Sequence, residues 1–213
     1  MKLQIVFPEF DVTKAQQFTA SALARLLAVG RQQRMAGTVE ASLCQATGVS
    51  RQADWPLAPI SRLGEGASDA GSGYWLKVDP VHLVLQRDYF SLGPRLSLSL
   101  EESQALLALL NQHFAADGLT FLAASSPDYW YLQLQDDPQI STAELGVAIG
   151  RDTTSYMPQG QGAAKWNRLL NEMQMLLHEH PINQARELRG ELAANSAWLS
   201  GGGVLPVLAT QAN

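Results

Sequence analysis

The residues best suited to metal chemistry lie late in the chain, where His178 and His180 flank Glu179. Imidazole and carboxylate groups bind zinc, so this triplet suggests a metal site. Residues two apart on a helix point about 200° away from each other, so both rings reach one ion only if the helix ends between them, as Pro181 allows. A zinc site needs three or four ligands, and no other histidine-rich segment supplies them. We therefore expect helix-end histidines that interact with the helix dipole, and we keep both as weak metal candidates.

Arg186 is the strongest candidate for contact with an anion, because a guanidinium group matches phosphate and carboxylate in two-pronged geometry. The alternative is a salt bridge with Glu187, Glu191 or another acidic neighbour. No phosphate-binding loop, nucleophile elbow or dinucleotide fingerprint occurs in the sequence. We predict no catalytic residue and no cofactor.

The net charge of −5 makes nucleic acid and anionic membrane surfaces unfavourable partners. The aromatic run 129–131 looks like a base-stacking platform, but it lacks basic flanks, so sheet packing explains it better. The N-terminus has no signal-peptide pattern, and no run of about 18 apolar residues exists for a membrane span. A single cysteine, Cys44, allows no internal disulfide and fits a buried small side chain. These features predict a cytoplasmic protein that binds neither nucleic acid nor membrane.

The elements that position these residues follow from periodicity. Residues 2–7 are β-prone, Thr13 and Gln16 form a capping box for a helix to about residue 34, and 39–47 fit a short helix. The glycine-rich stretch 63–73 is typical of a linker. Five aromatic or β-branched runs then predict the strands of an antiparallel sheet: 74–78, 81–85, 89–92, 119–122 and 129–134.

Helices are expected between and after these strands. Ser99 and Glu102 form a capping box for a helix that packs on the sheet, and a second helix over about 162–179 carries an apolar stripe headed by Trp166. A short helix over 183–189 should end at Gly190, followed by a short strand and a flexible glycine turn at 201–203. In the run 81–85, alternation predicts one buried face.

Together these elements predict an α+β fold, an antiparallel sheet with packed helices and a smaller helical N-terminal part. The domains are predicted as residues 1–62, a linker over 63–73, the sheet and helices over 74–203, and a tail over 204–213. The tail begins with an apolar run, and we expect association, including homo-oligomers, to cover it.

A spaced set of residues in the last third carries a family resemblance: His180, Pro181, Asn183, Arg186, Gly190, Asn195, Trp198, Gly201 and Gly203. This set resembles the segment of archaeal-type cofactor-independent phosphoglycerate mutases where the chain leaves an inserted domain and returns to the catalytic one. Over most of its length, including 79–83, 150–152 and 171–178, the chain also resembles a proteobacterial family of phosphoglycerate-mutase-like or RpfE-type regulatory proteins.

The resemblance implies a metal-dependent phosphomutase ancestry, in which a hydroxyl nucleophile works with two metals held by Asp and His ligands. The N-terminus has no glycine-rich metal loop of that kind, and no Asp-x-x-x-His pair occurs. We therefore predict a non-catalytic, mutase-related protein, with a small anionic ligand or a protein as partner. The alternative is a metal-dependent phosphoryl-transfer enzyme or a fragment of one. The matching residues proposed to bind the ligand are Asn183, Arg186, Asn195 and Trp198.

Overall fold

The structure is a computed structural model that describes residues 25, 28–31 and 38–207. The chain divides into two compact units, Met1–Gly48 and Val49–Asn213. The helices with defined bounds are α1 Val39–Ala46, α2 Leu57–Gly64, α3 Leu100–His113, α4 Leu145–Ala148, α5 Ala163–His178 and α6 Pro181–Leu188. The strands are β1 Tyr74–Val81, β2 Leu83–Leu85, β3 Phe90–Leu92, β4 Thr120–Ala123, β5 Trp130–Leu134 and β6 Ser196–Gly203. The predicted α+β class is confirmed.

In the first unit, α1 confirms the short helix predicted over 39–47. Thr38 caps it by accepting a hydrogen bond from the Ala41 N–H at 3.2 Å, and Cys44 is buried as expected. The strand predicted over 2–7 and the capping box of Thr13 and Gln16 lie outside the described residues.

The second unit is built on an antiparallel sheet with the strand order β4-β5-β1-β6. The central strand β1 pairs with β5 and β6, so that Lys77 lies between Tyr131 and Ser200. Because successive side chains of a strand point to opposite faces, β1 divides its residues between two environments. Tyr74, Leu76 and Val78 face one side, and the residues between them face the other.

The first side is covered by α3 and α5 and forms the main core. The predicted capping box is confirmed, since Ser99 accepts from the Glu102 N–H and Glu102 accepts from the Ser99 N–H. Trp166 is 3% exposed, so the predicted apolar stripe on α5 is a core face. The indole N–H of Trp130 is satisfied by the hydroxyl of Ser103 at 2.8 Å.

The opposite side is covered in part by α2, which packs Ala58 against Trp75 and Tyr131. The glycines of β6 make this possible, and the prediction of a flexible glycine turn at 201–203 is wrong. All three are buried within the strand, and a Cβ on Gly203 would lie 2.6 Å from the Cβ of Pro56. Gly201 and Gly203 therefore allow the close approach of the segment that opens α2, whereas Gly202 leaves room for Tyr74 and Leu76 on the other face.

The strand predicted over 81–85 is divided between the end of β1 and the short hairpin β2–β3. Its expected buried face is wrong in part, because Val81 is buried whereas Leu85 is largely exposed. A two-stranded hairpin apart from the main sheet offers too little cover for its last apolar side chain.

The predicted domain boundaries remain a prediction. Along the chain, the first compact unit ends at Gly48 and the second begins at Val49, before the predicted linker. Within that linker, Glu65 accepts hydrogen bonds from the hydroxyls of Tyr129 and Tyr131. At the tail, the backbone of Val204 exchanges two hydrogen bonds with the Gln52 side chain. No helix among the described residues is long and apolar enough to cross a bilayer.

Candidate functional site

A pocket of about 280 Å³ opens on the side of the sheet opposite the main core. Strand geometry places Lys77 and Asp79 on this same face of β1, because they are two residues apart. The other walls come from the segment before α3, the turn before β5 and the start of α4. The lining residues are Lys77, Asp79, Pro80, Arg95, Leu96, Ser126, Asp128, Tyr129 and Leu145.

Asp79 is the buried charged group of this pocket, with only 3% of its surface exposed. Its Oδ1 lies 3.1 Å from Nζ of Lys77 and 3.8 Å from Nη1 of Arg95. Its Oδ2 is buried without a hydrogen-bond partner among the residues described. Burial raises the pKa of Asp79, and the two cations offset this only in part. A buried polar atom without a partner is uncommon in proteins and draws attention to a functional region.

The two cations keep donors for a ligand. Nζ of Lys77 contacts Asp79 and lies 4.4 Å from the ring centre of Tyr129, a cation–π arrangement that holds the ammonium at the pocket. The Arg95 side chain is 59% exposed and its contact with Asp79 is long, so its five N–H donors are not held by a short contact with that carboxylate. This pair can therefore bind a small anion without breaking an existing short contact.

The opposite wall carries a second carboxylate. Asp128 is half-buried and is held in place by the Leu98 N–H, which donates to Oδ1 at 2.9 Å. Its own N–H donates to the hydroxyl of Ser126 at 3.3 Å. The arrangement is thus suited to binding a polar ligand.

Two of the residues predicted to bind a ligand, Asn183 and Arg186, are buried on α6 and make hydrogen bonds within the protein. The side-chain amide of Asn183 donates to the carbonyls of Leu177 and Ala194 and accepts from the Ala194 N–H. Arg186 donates to the Leu192 carbonyl at 2.8 Å and to Glu102 at 2.7 Å. The salt bridge named as the alternative for Arg186 is therefore present, with Glu102 as the main partner.

The other two predicted residues follow α6 in the chain: Asn195 directly precedes β6, and Trp198 lies within it. Asn195 binds both the N–H and the carbonyl of Leu83. Trp198 donates its indole N–H to the carbonyl of Ala143 and lies opposite Asp79 in the strand register. None of the four is among the residues that line the pocket, although Trp198 is the strand partner of Asp79, and ligand binding by the set stays a prediction.

Only one of the two histidines predicted at a helix C-terminus lies there, because the other caps the start of the next helix. His178 is the last residue of α5, and His180 caps α6, where its Nδ1 accepts from the Ile182 N–H at 3.3 Å. Burial lowers the pKa of His180, which favours the neutral ring that capping requires. Across the described ranges, no three His, Cys, Asp or Glu side chains are grouped so that they could hold a metal ion. The donor set implied by the mutase resemblance is thus not assembled within these ranges.

Sequence reasoning did not single out Lys77, Asp79 or Arg95. The available indication was a pair of opposite charges two residues apart inside an otherwise apolar strand, since charges are seldom placed in a buried strand without a partner. Arg95 had no such indication, because it joins the pair only through the path of the β3–α3 connection.

Comparison with known proteins supports a limited relationship. No protein-family model matches the chain. It is 36% identical over 61 residues to a probable 2,3-bisphosphoglycerate-independent phosphoglycerate mutase from Geobacter sulfurreducens, a match that covers 29% of this chain and 15% of that protein. The similarity is therefore partial, and the chain spans a small part of its relative.

The fold has a counterpart among solved structures. A cofactor-independent phosphoglycerate mutase from Thermoplasma acidophilum matches 72% of this chain and 43% of its own, with a TM-score of 0.53 at 16% identity. A Pyrococcus horikoshii protein matches 70% of this chain and 32% of its own, with a TM-score of 0.44 at 16% identity. The Thermoplasma match shows a shared fold, in which this chain corresponds to less than half of the mutase.

Proposed function

We propose that this phosphoglycerate-mutase-like protein acts by binding a small anion in the pocket lined by Lys77, Asp79 and Arg95. The observation that carries the proposal is that Lys77 and Arg95 lie at one pocket beside Asp79. This carboxylate does not occupy all the hydrogen-bond donors of either cation. We further propose a regulatory, non-catalytic role, in line with the RpfE-type regulatory proteins that the sequence resembles.

The distances around Asp79 support anion binding. Lys77 spends one of its three donors on Asp79, and Arg95 makes only a 3.8 Å contact with it. Hydrogen bonds between a cation and an anionic ligand are shorter and about twice as strong as neutral ones. An anion entering the pocket would gain such bonds from both side chains.

A scaffold role for the mutase-like segment supports the non-catalytic part of the proposal. Asn183 and Asn195 bind backbone groups of neighbouring segments, and Arg186 is occupied by Glu102 and the Leu192 carbonyl. These hydrogen bonds hold α6 and the segment that leads into β6 in place. Their hydrogen bonds are stabilising where they are, and moving them toward a substrate would leave buried groups unpaired.

Titration with inorganic phosphate by calorimetry at pH 7 tests the binding proposal. We expect saturable binding by the parent chain and a loss of about tenfold or more in affinity for Lys77→Gln and for Arg95→Gln. Lys165→Gln and Arg168→Gln are matched controls, because they remove the same charges from exposed positions on α5, on the other side of the sheet. Equal affinities for all five proteins, or no binding at all, would contradict the proposal.

The second candidate is a metal-dependent phosphoryl-transfer enzyme, or a fragment of one. The 61-residue match to the Geobacter mutase is the observation that favours it. Turnover of 3-phosphoglycerate in the presence of Mn²⁺ or Mg²⁺ separates the two candidates. We expect no turnover above a blank, and a rate that disappears on adding a chelator would establish the enzyme instead.

A further inference from the structure

The walls of the pocket carry both signs of charge, which restricts the ligands that can enter it. Lys77 and Arg95 attract an anion, whereas Asp79 and Asp128 would repel one that approached without a compensating charge. The formal charges of these four side chains balance. A ligand with only negative charge would therefore leave one side of the pocket unfavourable.

Of the two carboxylates, Asp128 is the one positioned to contact a ligand. Asp79 uses Oδ1 for Lys77 and Arg95, and its Oδ2 is buried. Asp128 is half-buried, and its bond from the Leu98 N–H engages Oδ1. No bond to its Oδ2 is found within the part of the chain that the structure describes, and an ionised carboxylate has about four acceptor positions.

We propose that the pocket takes a small amphoteric ligand, one whose anionic group binds Arg95 and Lys77 and whose ammonium group binds Asp128. This inference rests on the proposed anion-binding function and deepens it. The pocket has a volume of about 280 Å³, which leaves room for a small ligand that reaches from the two cations to Asp128. The rim offers aromatic cover as well, from Tyr129 beneath the ammonium of Lys77.

Three phosphate esters that differ in one group test the inference: ethyl phosphate, 2-hydroxyethyl phosphate and 2-aminoethyl phosphate. All present the same anion, and only the last adds a positive charge at pH 7. We expect 2-aminoethyl phosphate to bind about tenfold more tightly than ethyl phosphate, since a hydrogen-bonded charge contact contributes about that much. The hydroxyl ester should lie between them. Calorimetry with the full chain gives the three dissociation constants.

Asp128→Asn assigns the effect to its residue. The variant keeps an Oδ1 for the Leu98 N–H, so the turn is preserved, and it removes only the charge. We expect the tenfold preference to fall to about twofold or less, while the affinity for ethyl phosphate is retained or rises. Asp117→Asn is the matched control, because Asp117 is exposed in the connection between α3 and β4 and does not line the pocket. This variant should keep the full preference.

The outcomes separate this inference from the function on which it rests. If none of the three esters binds, the anion-binding function fails and the inference fails with it. If all three bind equally, the function stands and the amphoteric ligand is excluded. A preference that persists in Asp128→Asn would overturn the assignment of the ammonium group to that carboxylate.

Discussion

The two sides of the central sheet use charged residues in opposite ways. On the helical side, Arg186 and Arg189 converge on Glu102, and Glu191 completes the cluster. On the other side, Lys77 and Arg95 surround Asp79 and leave donors over. In the first cluster the charges hold α3 to α6, and in the second they line a pocket.

The difference lies in how far each charge is satisfied. Glu102 accepts from the Ser99 N–H as well as from both arginines, so a helix cap and two ion pairs meet on one carboxylate. Asp79 has one short contact, one long contact and a buried oxygen without a partner among the described residues. The filled carboxylate of Glu102 stabilises the fold, whereas the partly filled Asp79 leaves donors of Lys77 and Arg95 available for a ligand.

Removing the core of the helical side should have the largest effect. Trp166→Ala should lower the free energy of unfolding by about 3–5 kcal/mol through lost burial and a cavity, because the side chain is almost fully enclosed. Urea denaturation measures the loss, with exposed Arg168→Ala on the same helix as the control. Equal midpoints for Trp166→Ala and the parent would show that α5 does not form a core face.

Breaking the charge cluster around Glu102 should have the second-largest effect on stability. Glu102→Gln keeps a cap for Ser99 but leaves the buried Arg186 poorly paired, so we expect a loss of about 2–3 kcal/mol at pH 7. Burial raises the pKa of Glu102, but Ser99, Arg189 and Arg186 outweigh it and hold the pKa below the usual 4.5.

The pH dependence of that variant follows from this depression. The carboxylate stabilises the fold above pH 4.5 and loses this effect as the pH falls through its lower folded pKa. The difference between parent and Glu102→Gln should therefore shrink below about pH 4.5 in parallel denaturation curves. A difference that is constant from pH 7 to pH 3 would mean that the ion pairs contribute nothing.

Removing the unfilled charge should have the smallest effect on stability. Asp79→Asn should change the free energy of unfolding by less than about 1 kcal/mol at pH 7, because burial of the charge offsets what its partners contribute.

The raised pKa of Asp79 means that the fold favours the protonated form, so the parent loses stability as the pH rises from 3.8 through the folded pKa. The variant should lack that loss and should also bind phosphate more tightly. A destabilisation above about 2 kcal/mol would place Asp79 in the scaffold instead.

Features that depend on neighbours along the chain could be predicted from the sequence. The capping box at Ser99 and Glu102, the apolar stripe headed by Trp166 and the left-handed Gly190 all follow from spacings within one or two helical turns. For Arg186 the sequence indicated a salt bridge as one alternative, but not which acidic residue is its main partner. Its partner Glu102 is 84 residues away, and local spacing cannot point to it.

The sequence by itself determined the fold class, the helices over 100–113 and 163–178, and the strands β1 and β5, because periodicity and caps are local properties. The tertiary structure alone decided that Gly201 and Gly203 of β6 form a contact surface for the start of α2, since that role depends on which segment packs above them. It also decided the pocket. Lys77 and Asp79 come from one strand, but Arg95 and Asp128 reach them only when the β3–α3 connection and the turn before β5 close over that strand. Electrostatic interaction acts through space, so charges distant in sequence form a site only after the chain has folded.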